Sequence, residues 1–202
     1  MESEKPTLDK PRLDTRALIQ TGVFTALYVV VLAVFGQLGA LVPILQVLGP
    51  FYIPLVCGVP FMLFVARVKA FGQITIMGVL AGVLVFLTGQ SWVVLVLAVV
   101  LAPAADLIAK TGGYKSFVRT AAAYVVFSEM LIGMVVPLFF LREEFIERIA
   151  ARHDASWVDS LVNLTPPWVF WAMIGMIAVG AVAGALLGRS LTVKHFRPAG
   201  LA

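Results

Sequence analysis

Long apolar runs alternate with short polar interruptions along this chain, and the runs exceed what a water-soluble core contains. No Lys, Arg, Asp or Glu occurs between Arg16 and Arg67, or between Lys69 and Asp106. About 18 or more consecutive apolar residues suffice to cross a hydrocarbon core of ~30 Å. Reading the runs against Gly and Pro breakers predicts membrane helices over residues 17–35, 51–66, 72–87, 92–109, 118–141 and 168–188. The expected fold class is therefore an all-α integral membrane protein with six transmembrane helices. The uncharged stretch 36–66 is too long for one span and carries Gly39, Pro43, Gly49, Pro50, Pro54, Gly58 and Pro60. Its first part, residues 36–50, is expected to form a loop or re-entrant turn. Irregular backbone at membrane depth is tolerated only against protein or a water-filled cavity, so this segment is a candidate cavity lining.

Composition agrees with the pattern. Of 202 residues 61% are hydrophobic and 13% charged, and the mean hydropathy is +1.00. A soluble domain is typically about 45–50% apolar and about 25% charged. Six spans and their connections use nearly the whole length, which leaves one membrane domain (17–189) between two polar tails (1–16 and 190–202) and no room for a soluble catalytic domain. The first tail, MESEKPTLDKPRLDTR, has two prolines and lacks a signal-peptide core and cleavage site, so it reads as a cytoplasmic tail. The single Cys57 rules out an intramolecular disulfide.

Charge supplies the orientation. Lys5, Lys10, Arg12 and Arg16, then Arg67 and Lys69, then Lys110, Lys115 and Arg119, and finally Arg189, Lys194 and Arg197 fall on one side of a six-span arrangement. Only Arg142, Arg148 and Arg152 fall on the other, so the fifteen basic residues divide twelve to three. Cytoplasmic loops carry the excess of Lys and Arg, which puts both termini in the cytoplasm and residues 142–166 outside. That external segment is net acidic, yet Phe145, Ile146 and Ile149 recur at helical spacing, as do Trp157, Val158, Leu161 and Val162. The pattern predicts two short amphipathic helices at the outer surface, either a solvated connector or a lid over a pocket.

Several constellations admit both a structural and a functional role. Small residues at four-residue spacing occur at Gly22 and Ala26, at Gly78 and Gly82, and at Gly180, Gly184 and Gly188. Such faces let helix backbones approach closely, most often within one chain. The first helix is the best candidate for contact with another subunit, because Ala17, Thr21 and Thr25 extend the small face beside Gly22 and Ala26. Glu129 lies near the middle of the predicted fifth helix, where a carboxylate is costly unless it is protonated and hydrogen-bonded or faces a ligand or cavity. Asp106 has Lys110 four residues on and reads as its structural partner. Gln46 and Tyr52, Gln90 and Trp92, then Asn163, Trp168 and Trp171 collect at the outer helix ends. An interfacial aromatic belt accounts for rings at that depth. Amides beside them resemble the few placed polar groups of a small-molecule pocket, so all seven residues, with Glu129, are candidate substrate contacts.

Enzymatic readings are weaker. Residues 143–148, EEFIER, match the Glu-Glu-x-x-x-Arg pattern of a family of intramembrane proteases, but the only histidines are His153 in the same segment and His195 in the C-terminal tail. The segment TGGYKS at 111–116 lacks the Gly before Lys and the strand-to-helix setting of a phosphate-binding loop. Any ATP dependence therefore belongs to another polypeptide, and no cofactor or metal is expected.

Taken in order, residues 17–28, FGQITIMGVLAG at 71–82, FLTGQSW at 86–92, ADLIAKTGGYKS at 105–116, LTPPW at 164–168 and GALLGRSLTVKHFRPAG at 184–200 resemble the Trep_Strep, or MptD-like, family. That resemblance implies a substrate-binding S component of an energy-coupling factor (ECF) transporter. Such a component is a six-helix bundle, not an enzyme, that captures a vitamin or similar micronutrient outside. Its implied partners are the small-molecule substrate, a transmembrane T component and two ABC-type ATPases, with no nucleic acid. The resemblance also implies that a small-residue motif on the first helix docks on the T component. Here Gly22 and Ala26 occupy the motif, flanked by Ala17 and Thr21. Two rival readings stand beside it: a proton-coupled secondary transporter using Glu129, and the intramembrane protease.

Overall fold

In the computed structural model, residues 15–192 and residue 194 are described. The remaining parts of both predicted tails, including Lys5, Lys10, Arg12, His195 and Arg197, lie outside the described residues. The described chain is all helical: α1 Thr15–Gly36, α2 Pro43–Arg67, α3 Gln73–Leu87, α4 Trp92–Thr111, α5 Phe117–Ser128, α6 Ile132–Phe140, α7 Arg142–Ala150, α8 Ala155–Leu164 and α9 Val169–Leu191. Among the described residues five helical stretches are long and apolar enough to cross a membrane, namely α1 with the turn that follows it, α2, α4, α5 together with α6, and α9. The apolar helix α3 is shorter, at 15 residues, or about 22 Å of axial rise. Large apolar side chains such as Ile19, Val23, Val30 and Val34 on α1, and Val99 and Val100 on α4, stand exposed on the outside of the bundle. In a lipid solvent such faces need no protein cover.

Two expectations about helix continuity are corrected. Residues 36–50 do not form a loop: a 3-10 turn at Gln37–Ala40 leads directly into α2, which runs unbroken through Pro50, Pro54 and Pro60. Pro43 sits in the first turn of α2, where its missing N–H costs nothing. Further in, α2 is held by its neighbours, and the Tyr124 hydroxyl donates to the Pro54 carbonyl at 2.6 Å. The predicted fifth helix, by contrast, is interrupted. A 3-10 turn at Glu129–Leu131 separates α5 from α6, with no Gly or Pro at the break.

Glycine seams hold the bundle together. A side chain on Gly58 of α2 would overlap the backbone of Gly184 on α9. Substituents at Gly180 and Gly188 would collide with Phe51 and with Gly58 and Met62 on α2. Gly78 and Gly82 of α3 face Ala102 and Ala98 of α4 in the same way. Close backbone approach maximises dispersion where burial from water supplies no drive. Between the seams lies an aromatic core, in which Phe61 meets Tyr124 at 4.7 Å and Phe127 at 4.9 Å, while Tyr28 meets Phe127 edge-on.

On α1 the small residues divide between two faces, which corrects the single docking face expected. Thr21 and Thr25 are buried, and the Thr21 hydroxyl meets the side-chain amide of Gln73 on α3 at hydrogen-bonding distance. Ala17 is half-buried and its carbonyl accepts from Thr21 at 2.9 Å. Gly22 and Ala26 point outward, with nothing within 4 Å of a Cβ placed on Gly22.

Asp106 also has a different partner from the one expected. Fully buried, it accepts from the backbone N–H groups of Gly72 (2.9 Å) and Thr75 (3.1 Å), from the Thr75 hydroxyl (3.1 Å) and from the Tyr114 hydroxyl (2.7 Å). It thus caps the N-terminus of α3 from across the bundle, satisfying donors that a helix start leaves free. Tyr114 lies in the α4–α5 connection with φ 56°. Burial, then its bond to Asp106, pushes its hydroxyl pKa above the usual tyrosine value. Lys110 instead sits over the Phe71 ring, 4.3 Å from its centroid.

Candidate functional site

At the end of the bundle opposite Asp106, a cavity of about 340 Å³ opens between the C-terminal ends of α1 and α3 and the N-terminal halves of α2 and α9. Its floor is apolar, built from Leu32, Ile53, Val85, Leu131, Met134, Met173 and Ile177 among others. Polar groups ring the upper wall: Gln37 from the 3-10 turn, Gln46 and Tyr52 from α2, and Thr88 to Gln90 from the α3–α4 connection. Thus the segment 36–50 does line a cavity, although it does so mostly as helix. An apolar chamber with a few placed polar groups is the usual make-up of a small-molecule site.

The predicted amphipathic pair forms the roof. α7 and α8 turn Phe145, Arg148, Ile149, Arg152, His153 and Trp157 into the cavity wall. Residues 145, 148, 149 and 152 recur at helical spacing, so one face of α7 and its exit meets the chamber. Of the two roles left open for residues 142–166, the geometry is that of a lid. Its root is fixed by Arg142, whose guanidinium donates to the carbonyls of Thr165 (3.0 Å) and Val162 (3.2 Å) at the end of α8, where a cation complements the helix dipole. Its rim reaches the opposite wall through Arg148, which donates to the Gly89 carbonyl at 3.3 Å and pairs with Glu144 at 3.6 Å. Asp154 caps α8, accepting from the Trp157 N–H and the Ser156 hydroxyl at 2.8 Å each. The bond from Trp157, then that from Ser156, holds its carboxyl below the usual aspartate range. His153 stacks on the Trp157 indole at 4.1 Å between ring centroids, and the indole N–H is buried with no acceptor in the chain.

A family model described as "Hypothetical bacterial integral membrane protein (Trep_Strep)" matches residues 15–197. The chain belongs to the Trep_Strep family. This Trep_Strep protein is a multi-pass integral membrane protein, as its several long apolar helices also require. No curated protein and no solved structure matches it.

The structure divides the candidate contacts of the Trep_Strep chain into two groups. Gln46, Tyr52 and Gln90 come together on the cavity wall. Trp92, Trp168 and Trp171 are 61%, 67% and 72% exposed on the outside of the bundle, the position of an interfacial belt, and Asn163 is exposed on α8. Glu129 is not among the cavity-lining residues; it sits in the 3-10 break with one carboxylate oxygen buried and without a hydrogen-bond partner in the chain. Gln37, Arg148, Arg152, His153 and Trp157 are wall residues that the amide-and-ring criterion missed. Arg148 and Arg152, four apart and beside Phe145 and Ile149, are the signal that would have found the basic members of that group.

Proposed function

We propose that this protein is the substrate-binding S component of an ECF-type importer. It captures a vitamin-like small molecule outside and delivers it inward with a T component and two ABC ATPases, performing no bond chemistry itself. The lidded cavity carries this reading: an apolar chamber at one end of the bundle, roofed by the net-acidic connection 142–166. With α3 counted as a short sixth span, the twelve-to-three division of basic residues supports an orientation with that chamber outside and both termini in the cytoplasm. The outward-facing Gly22 and Ala26 leave α1 a small, lipid-exposed strip on which a T component could close. Gly22→Leu is expected to retain ligand binding in the purified protein but to abolish ATP-dependent uptake and co-purification with a T component. Full assembly with leucine in place would overturn the docking assignment, and absence of any ligand from the cavity would overturn the capture role.

The intramembrane carboxylate of Glu129, with one buried oxygen lacking a partner in the chain, favours one rival, a proton-coupled secondary transporter. Uptake that persists without any ATPase and is lost in Glu129→Gln would decide for it.

A further inference from the structure

The lid is net acidic as a sequence, yet its charges are sorted. Glu143, Glu144 and Glu147 of α7, with Asp154 and Asp159, are exposed, and none of them lines the cavity. The charged side chains on the cavity wall are Arg148 and Arg152, joined by His153; both arginines are exposed and stand at the mouth of the chamber. Arg148 is partly compensated by Glu144 and spends one donor on Gly89. No carboxylate pairs with Arg152 among the described residues. No carboxylate lines the cavity among the described residues, so its mouth carries net positive charge beside the amides of Gln37, Gln46 and Gln90. An occupant with a negative group gains a charge-assisted bond there that a neutral occupant does not.

We infer that the cavity takes a small organic monocarboxylate, seated with its apolar body on the floor of Leu32, Ile53, Met173 and Ile177 and its carboxylate against Arg152 under the lid. One uncompensated guanidinium balances one negative charge, which favours a monocarboxylate over a phosphate ester. Arg152 fixes the anion as a fork of donors, a geometry that matches a carboxylate's two oxygens. The inference rests on the capture role proposed above and names its substrate class.

The test uses the full chain purified in mild detergent, with the bound small molecule released by methanol and identified by mass spectrometry. Melting-temperature shifts with 3-phenylpropionate, 3-phenylpropionamide and 3-phenylpropylamine serve as a charge-matched probe set. The wild type is expected to release a monocarboxylate and, among the probes, to be stabilised most by 3-phenylpropionate. Arg152→Gln is expected to lower occupancy about tenfold or more, the usual cost of losing a charge-assisted bond. Arg152→Lys should retain part of it, and Glu143→Gln on the outer face should retain all of it, each variant remaining monodisperse. Release of a neutral, cationic or phosphorylated molecule, or undiminished carboxylate in Arg152→Gln, overturns the substrate class while leaving the capture role in place. Release of nothing, with no stabilisation by any probe, overturns both.

Discussion

The two ends of the bundle are built on opposite principles. At the Asp106 end, one buried carboxylate receives four hydrogen bonds from two other segments, and cations lie over aromatic rings, as Arg189 does over Phe117 at 4.3 Å. The groups that Asp106 joins are all supplied by the chain, which ties the start of α3, α4 and the α4–α5 connection together. At the cavity end, α7 buries no side chain and is tied by Arg142 at its root and by a single 3.3 Å contact from Arg148 at its rim, while α8 packs Val158 and Leu161 against the bundle. Satisfied buried networks rigidify, whereas elements with few buried contacts occupy the low-stability end of a structure and are free to move. A rigid end and a lidded end are what a protein needs when it must hold its shape and still admit a ligand.

The contrast can be broken most severely at Asp106. Asp106→Ala strands the N–H groups of Gly72 and Thr75 and the Tyr114 hydroxyl, and should cost about 3 kcal/mol or more of stability, read as a lowered unfolding midpoint in detergent. Asp106→Asn, which keeps acceptor capacity on one oxygen, should lose less. Next in size is the α2–α9 seam. Gly58→Ala drives a methyl into the Gly184 backbone and should destabilise by about 1–3 kcal/mol. Gly22→Ala, facing open space on the same kind of helix, should be neutral or stabilising by up to about 1 kcal/mol through helix propensity alone. Equal melting temperatures for the two glycine variants would refute the seam.

At the cavity end the expected effects are local. Arg142→Ala removes two bonds to the last carbonyls of α8 and should speed amide exchange over residues 155–165 while leaving the global midpoint nearly unchanged. The smallest effect is set by pH. The Asp154 carboxyl is depressed below its ordinary value of 3.8, so its cap is fully present above that value and is lost as pH falls through the folded value. Faster exchange at the Trp157 amide below about pH 4, beyond the intrinsic change seen in Asp154→Asn, checks this.

Much of this organisation was legible in the sequence, and the failures have specific causes. Apolar runs located the long spans because lipid demands a continuous length of greasy residues. The amphipathic spacing in residues 142–166 predicted α7 and α8. The prolines of α2 misled because their local cost is outweighed by packing the sequence does not display: α2 lies against α9 along the Gly58–Gly184 seam, and Tyr124 reaches it from 70 residues away. The break at Glu129 carries no Gly or Pro to announce it. Asp106 looked paired with Lys110 because sequence shows neighbours along a helix and not the helix start packed beside it. In the cavity, Gln46, Tyr52 and Gln90 were visible as polar groups in apolar surroundings. Arg148 and Arg152 were hidden because charges in an external segment read by default as facing solvent.

The sorted charges of the lid also bear on rates. A solute approaching the lid meets the exposed carboxylates of Glu143, Glu144 and Glu147 together with the exposed guanidiniums of Arg148 and Arg152. Because acids outnumber bases five to three over residues 142–166, the net field of the lid still slows an anion on approach, the reverse of electrostatic steering. Added salt shortens the reach of those carboxylates, from a screening length of ~30 Å at 0.01 M to ~8 Å at 0.15 M. The association rate of an anionic ligand should consequently rise with ionic strength, and that of a cation should fall.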